Sequence, residues 1–540
     1  MTLQIRVADY IADWLAKKNI EHVFTVTGGG AMHLNDAFGK HPKLKCVYNH
    51  HEQAAAMAAE SYARLSRRMA LVCVTSGPGG TNAITGVLGG WLDSVPMLII
   101  SGQVRFNTTV KSTGLNLRQL GDQEFDIVKV VSPMTKYAEM VIDPDKILYY
   151  LERAYYLAVN GRPGPCWLDI PLDVQGAIIN TNKLKKYNAK EDKKEIAPKV
   201  NQKIISAVLE KIRKAERPVI LAGSAVRSSG AYDDFHKLIK KLNVPMVTAW
   251  NAHDVIWNSH PLFFGRPGTI GDRCGNFITQ NADLVLVLGC RLNIRQISYN
   301  WSMFAREAHI IIVDIDRDEL KKPTLCPDMP ILADVSDFIK AMLRNIKQTN
   351  EKKAWMNYCR KIREKFTAVG MRRAARSSKI NPYDFVDTLT NKLNENDIIV
   401  TANGSACVVT FQAAIIKKGQ RLYTNSGCAS MGYDLPAAIG AHTASGKKVY
   451  CIAGDGSMQM NIQELQTIVH NKMNITIFLF NNDGYHSIRQ TQNSFFGKPL
   501  VGVNSKSGIS FPDAGRMAKA YGLQFARIGK NISMDAVLNK

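Results

Sequence analysis

Short apolar runs and longer amphipathic stretches alternate along this chain from end to end. The runs Glu21 to Val26, Leu71 to Thr75, Met97 to Ser101, Val219 to Ala222, Leu284 to Leu288, Ile310 to Asp314, Ile398 to Thr401, Val449 to Ala453 and Ile475 to Asn481 have the length and β-branched composition of buried strands. The pattern predicts an α/β fold of mainly parallel sheets flanked by helices. Two stretches interrupt it. Lys183 to Val200 is charged and aperiodic and reads as an interdomain linker, while Glu351 to Lys379 is a polar helical segment ending near Asn381-Pro382. Three α/β domains are therefore expected, at 1-182, 201-345 and 375-540, joined by linkers at 183-200 and 346-374. The first and third share the order strand, glycine-rich turn, helix, which suits two related domains facing each other.

At 540 residues and 46% hydrophobic content the chain is too long for one core. The longest apolar runs, such as Pro96 to Ile100, have strand length, far short of the roughly 18 residues of a membrane helix, so no membrane span is expected. Met1 to Tyr10 mixes charges into its first turns and lacks the layout of a secretion signal; it reads as the start of a cytoplasmic helix. The ten cysteines include no CxxC pair and no dense cluster, which predicts reduced, mostly buried thiols. A net charge of +23 raises the question of a nucleic-acid partner. The basic residues are spread out, however, and the densest run, Lys183 to Lys194, contains Glu191 and Asp192. A solvated linker and attraction for anionic small molecules account for the charge better.

The segment richest in chemistry is Val449 to Asn482. A buried strand ends in Gly454-Asp455-Gly456-Ser457, a helical pattern follows, and a second buried strand ends in Asn481-Asn482. Ligands of parallel α/β sheets sit beyond the carboxyl ends of strands, which is where Asp455 and Asn482 are expected to meet. Mg²⁺ takes hard oxygen ligands and shares them with phosphate. Asp455, the amide oxygen of Asn482 and the carbonyl of Gly484 form a candidate ligand set. Gly454 and Gly456 let backbone approach a diphosphate, and a helix opening at Ser457 would offer it free N–H groups. Gly-Asp-Gly alone is a common turn; the coupled pattern, with a strand on each side, carries the argument.

That coupled pattern resembles the signature of thiamine-diphosphate-dependent enzymes. Asn49-His50-His51-Glu52-Gln53-Ala54 resembles the same family's segment that puts a carboxylate at the aminopyrimidine ring. Taken alone, Glu52 is an ordinary first-turn glutamate complementing a helix dipole. Thr75-Ser76-Gly77-Pro78-Gly79-Gly80-Thr81-Asn82 looks like the family's Ser-Gly-Pro-Gly loop, and Gly28-Gly29-Gly30-Ala31 like the loop over the substrate side. Gly427 to Pro436 looks like the loop whose apolar residue, here Met431, props the cofactor in its bent form. The resemblance implies catalytic roles for Glu52, Gln123, His51 and Gly29. It implies cofactor contacts from Glu52, Ser76, Gly77, Pro78, Gly404, Ser405, Ala429, Met431, Gly454, Asp455, Gly456, Ser457, Asn482, Gly484 and Tyr485. It also implies an active site shared between subunits, with a homodimer as the minimum and a tetramer common.

Asp122-Gln123-Glu124-Phe125-Asp126 with Thr135-Lys136 is similar to the acetolactate synthase branch, and the middle third resembles that branch's FAD-binding domain. Arg291 and Arg295 could pair with a pyrophosphate, and Asp314 or Asp316 ends a strand where a ribose could bind; a vestigial domain without nucleotide is the alternative. Any FAD would be structural, because decarboxylation and carboligation transfer no net electrons. The expected substrates are a 2-oxo acid, pyruvate, and an acceptor carbonyl. One departure bears on the acceptor: Thr491 stands where acetolactate synthases carry a tryptophan, which implies a wider, more polar pocket suited to a hydroxyl-bearing acceptor such as a keto sugar. The family also continues past Leu538-Asn539-Lys540 with a strand and a tail, implying either a longer chain or a different lid. Acetolactate synthase proper, a simple 2-oxo acid decarboxylase and a non-catalytic FAD-binding regulatory protein remain rival readings here, and a regulatory subunit is not excluded.

Overall fold

The structure, a computed structural model, describes residues 4–195, 197–366 and 380–529. The end of the polar segment at residues 367–379 and the terminus Leu538-Asn539-Lys540 lie outside the described residues. Contacts divide the chain into two compact units: Met1–Glu195, Val400–Gly404 and Thr424–Gln524 make one, and Ile196–Ile399, Ser405–Tyr423 and Phe525–Lys540 the other.

In the first unit, β1 (Gln4–Arg6) pairs antiparallel with β8 (Ile178–Asn180). Gln4 to Arg6, expected to begin a helix, is therefore a strand, and the helix starts at Val7. Three residues are too few to show a period, and the partner that settles them is remote in sequence. A six-stranded parallel sheet is built from β2 (His22–Thr25), β3 (Lys45–Tyr48), β4 (Ala70–Val74), β5 (Met97–Gln103), β6 (Tyr137–Met140) and β7 (Pro165–Pro171), in the order β3-β2-β4-β5-β7-β6. Val7, Ala8, Ile11, Trp14 and Leu15 fall on one face of the helix Val7–Lys17 and are buried with Leu71, Leu98 and Leu168. Burial of each large side chain contributes roughly 1.5–3 kcal/mol.

The alanine-rich helix Glu52–Ser66 is buried nearly all round. Its small side chains permit close approach by other helices. A Cβ at Gly86 would lie 2.5 Å from that of Ala56, and one at Gly440 would lie 2.0 Å from the Ala58 carbonyl oxygen. Within Lys183 to Val200, read as a solvated linker, Glu191 and Asp192 instead dock on the helix Ile147–Val159, accepting from the Tyr149 hydroxyl at 2.8 Å and Arg153 Nε at 3.0 Å.

The second unit holds a five-stranded parallel sheet of β9 (Pro218–Ala222), β10 (Met246–Thr248), β11 (Leu284–Leu288), β12 (His309–Asp314) and β13 (Met329–Leu332), in the order β10-β9-β11-β12-β13. β9 and β11 are buried throughout, as their uninterrupted apolar runs require. The last third adds β14 (Ile398–Thr401), β15 (Arg421–Tyr423), β16 (Val449–Gly454) and β17 (Ile475–Phe480); β16 and β17 are parallel, with Gly454 opposite Phe480. Among the described residues the ten cysteines form no disulfide, and seven of them are buried. Among the described residues no helix is long and apolar enough to cross a membrane.

Candidate active site

At the carboxyl edge of β16 and β17, Asp455 is buried and ties two chain segments together. Its Oδ2 accepts from the backbone N–H groups of Asn482 and Gly484, each at 3.1 Å, and its Oδ1 accepts from Gly456 N–H at 2.9 Å. The helix opens at Asp455, two residues before the expected Ser457, and runs only to Gln459. The amide oxygen of Asn482 is buried and has no hydrogen-bond partner among the described residues. An acceptor left so costs about 1–3 kcal/mol unless something binds it. Gly484 takes φ +127°, with the Val503 carbonyl oxygen 1.9 Å from any Cβ, so only glycine fits there. Its own carbonyl accepts from His486 N–H at 3.0 Å, leaving one lone pair.

Tyr485 and Met431 converge on Gly456, whose missing Cβ would lie 2.3 Å from the tyrosine ring and 3.3 Å from the methionine methyl. Space above Gly454 is open. Ser457 Oγ accepts from Gly432 N–H at 2.9 Å and fixes the Met431 loop, in which Ala429 adopts φ +51°. Burial pushes the neighbouring Asp434 carboxyl up to about 6, against the pull of the Ser457 hydroxyl. Gly404 has φ +118° and faces open space, and Ser405 begins the helix Ser405–Ala413. One carboxylate, one unpartnered amide oxygen and a free carbonyl lone pair suit a hard cation that takes its remaining ligands from phosphate. Among the described residues there is no cluster of three or more His, Cys, Asp or Glu side chains that would hold a metal alone.

Glu52 is the first residue of its helix and is buried. His51 caps that helix, its Nδ1 accepting from Gln53 N–H at 3.1 Å. Asn82 Nδ2 donates to Glu52 Oε2 at 3.0 Å, and no cation pairs with Glu52 among the described residues. Asn82 stood in the quoted glycine-rich motif without a role assigned to it. The loop Gly28–Gly30 presses on Thr75 and Ser76: Gly30 N–H donates to Thr75 Oγ1 at 3.0 Å, and a Cβ at Gly30 would lie 2.5 Å from Ser76 Oγ. Gly77 (φ +58°) meets the backbone carbonyl of Gln123 and precedes Pro78, the first residue of the next helix. The structure thus brings Gly29, Ser76, Gly77, Pro78 and Gln123 to one edge of the sheet. Gln123 itself is exposed, with φ +60°. Its loop is pinned by Glu124, which accepts from Val110 and Leu120 N–H at 2.6 and 2.9 Å, and by Gln103 Nε2, which donates to the Phe125 carbonyl at 2.9 Å and to Asp169 at 3.0 Å.

In the second unit, Asp314 ends β12 with Oδ1 accepting from Asp316 N–H at 2.9 Å. The Arg295 guanidinium lies 5.6 Å from the centre of the Trp250 ring, whose Nε1 is buried and has no partner among the described residues. The Arg291 carbonyl accepts from Lys322 Nζ. Thr491, read as a pocket wall, is exposed on the helix His486–Phe495, its hydroxyl donating back to the Ser487 carbonyl at 3.1 Å.

Fold and site are those of an α/β protein whose polar groups gather at the carboxyl edge of a parallel sheet. Three family profiles match in order: the thiamine pyrophosphate enzyme N-terminal binding domain over residues 5–130, the central domain over 205–342 and the C-terminal binding domain over 402–540. The chain is 30% identical over 534 residues to the acetolactate synthase isozyme 1 large subunit of Escherichia coli (strain K12), covering 99% of this chain and 91% of that protein. It is 31% identical over 521 residues to the acetolactate synthase large subunit of Lactococcus lactis, covering 95% and 86%. It is also 31% identical over 544 residues to a probable acetolactate synthase large subunit of Methanocaldococcus jannaschii, covering 99% and 88%. The chain belongs to the thiamine pyrophosphate enzymes, in their acetolactate synthase-like branch.

Proposed function

We propose that this enzyme decarboxylates pyruvate and transfers the resulting two-carbon unit to an acceptor carbonyl, working as a cytoplasmic homodimer or homotetramer. The observation that carries this reading is the amide oxygen of Asn482, unpartnered among the described residues and beside Asp455, a donor set that would hold Mg²⁺ together with a diphosphate. Thiamine diphosphate, when bound, supplies an electron sink for cleavage of the carbon–carbon bond next to a carbonyl. Glu52 holds a proton against the aminopyrimidine ring, with Asn82 fixing the direction of its carboxylate. Met431 and Tyr485 give the cofactor an apolar wall at Gly456. His51, Gln123 and the Gly29 loop orient substrate oxygens. Glu52 and Asp455 of one site come from different subunits in this reading, as the family resemblance implies.

The middle unit is proposed to hold FAD structurally through Arg291, Arg295 and Asp314. The unpartnered Trp250 Nε1 beneath Arg295 supports a polar ligand there. Purified protein should be yellow or take up added FAD, and a colourless protein that binds none would overturn this part.

The acceptor is proposed to carry hydroxyl groups, as a keto sugar does, on the sequence resemblance alone, in which Thr491 stands where acetolactate synthases carry a tryptophan; in this chain Thr491 is exposed and its hydroxyl turns back to the Ser487 carbonyl. Incubation with pyruvate alone and with a panel of aldehydes, ketones and keto sugars, followed by mass spectrometry, tests the whole reading. Efficient acetolactate formation from pyruvate alone identifies acetolactate synthase proper, and free acetaldehyde a simple decarboxylase. Thr491→Trp should lower kcat/KM for a large polar acceptor by at least ~10-fold while sparing CO₂ release.

A further inference from the structure

The mechanism above leaves unused a carboxylate that is fully buried and close in space to Glu52. Glu464 lies on the helix Glu464–His470, within the stretch between Asp455 and Asn482. Its Oε1 accepts from His50 N–H at 2.9 Å, and its Oε2 accepts from Asn49 Nδ2 at 2.9 Å and from the Thr467 hydroxyl at 2.8 Å. No cation pairs with it among the described residues. One turn earlier, Asn461 Nδ2 donates to Gln53 Oε1 at 3.1 Å and to the Gly432 carbonyl at 2.7 Å. Residues 49, 50 and 53 are thus held from the same short stretch of the last third. Between them stands Glu52.

Desolvating a carboxylate with only neutral donors around it is costly, and an apolar side chain of similar size would fill this space with less penalty. What a carboxylate gives here is two oxygens that accept from different donors, fixing both the Asn49 side chain and the His50 backbone where β3 turns into the Glu52 helix. We propose that Glu464 is a positioning residue that sets where Glu52 meets the aminopyrimidine ring, acting through Asn49 and His50 without touching cofactor or substrate. The same link ties the placement of Glu52 to the loop of Met431, because Asn461 holds both Gln53 and the carbonyl of Gly432. This inference rests on the reading of Glu52 as the proton-handling group.

The test compares Glu464→Gln, Glu464→Ala and Asn49→Ala with Glu52→Gln. In D₂O, exchange of the C2 proton of bound thiamine diphosphate, followed by NMR after acid quench, reads Glu52 without pyruvate or acceptor. A glutamine retains one oxygen but turns an amide N–H₂ toward a donor, so exchange and kcat should fall together by at least ~10-fold. The KM for pyruvate and the cofactor affinity should stay within ~3-fold, since neither contact is made by Glu464. In cofactor-free protein the His50 amide should exchange faster with solvent in Glu464→Gln. If Glu464→Ala does not fold, Asn49→Ala decides, because it removes one strut and leaves the carboxylate in place. Wild-type exchange in Glu464→Gln and Asn49→Ala, with exchange lost in Glu52→Gln, would overturn the positioning role and leave Glu52's role intact. Loss of cofactor affinity in parallel with exchange would also overturn it, showing a general scaffold residue. Wild-type exchange in Glu52→Gln would overturn the underlying reading itself.

Discussion

Helix Glu52–Ser66 buries a glutamate at its first turn and another two turns later, and the two are handled in opposite ways. Glu60 is 1% exposed and sits in an ionic network: Arg64 Nε donates to it at 2.9 Å, the Tyr433 hydroxyl donates to its other oxygen, and Arg64 also pairs with Asp93 at 2.7 Å. Asp93 in turn accepts from Gly427 N–H at 2.8 Å. Glu52 is 9% exposed and, among the described residues, is met by the amide of Asn82 alone. Burial alone therefore does not decide how the two carboxylates of this helix are held: Glu60 has a cation for a partner and Glu52 a neutral amide. A cation at Glu52 would compete with the cofactor ring for the carboxylate, whereas at Glu60 it offsets the cost of burial.

The comparison breaks first at Glu52. Glu52→Gln should lower turnover by at least two orders of magnitude, roughly the scale of lost acid–base catalysis, with cofactor affinity by calorimetry little changed. Near-normal turnover would mean that both glutamates are structural. Arg64→Met probes the other end of the helix: it strands Glu60 and Asp93 without their cation and should cost about 3–5 kcal/mol in a urea titration, while turnover per folded molecule is retained. Equal loss of turnover and stability would erase the distinction.

Asp169 sharpens the comparison as a buried carboxylate with neutral donors away from the proposed chemistry. Ser101 Oγ donates to it at 2.6 Å and Gln103 Nε2 at 3.0 Å, and burial pushes its carboxyl up to about 7 against those two bonds. Its folded value lies above the ordinary 3.8, so the folded protein binds the proton more tightly than the unfolded chain. Its ionisation then lowers stability as pH rises from about 4 to about 7, by at most on the order of 1 kcal/mol per unit, and adds no slope above that window. Asp169→Asn should flatten this dependence in melts at pH 5 and pH 8. The smallest effect is expected at Asn82. Removing the amide in Asn82→Ala should lower kcat about 10-fold without a change in melting temperature beyond a few degrees, and a larger stability loss than activity loss would assign Asn82 to packing.

Much of this was legible in the order of residues. Strand runs such as Leu284 to Leu288 and Ile398 to Thr401 coincide with the strands, because a strand buried on both faces has to be apolar without interruption. Other strands were not legible: β13 contains Pro330, β7 begins at Pro165 and buries Asp169, and β1 exists because β8 lies beside it. The partner of β1 is distant in sequence, whereas β13 pairs with the preceding strand β12 and was hidden by its own composition.

The same division runs through the site. Sequence by itself determined the chemically distinctive groups, Asp455 and Asn482 at strand ends and Glu52 at a helix start, since glycine turns and strand periods fix which side chains stand at a sheet edge. Only the tertiary structure decided which partners those groups have. Asn82 belongs to Glu52 and Arg64 to Glu60, Glu464 reaches back more than four hundred residues to Asn49, and the amide oxygen of Asn482 has no partner among the described residues. Hydrogen bonds and charge pairs act over about three ångströms, and that proximity is made by packing the chain, not by spacing along it.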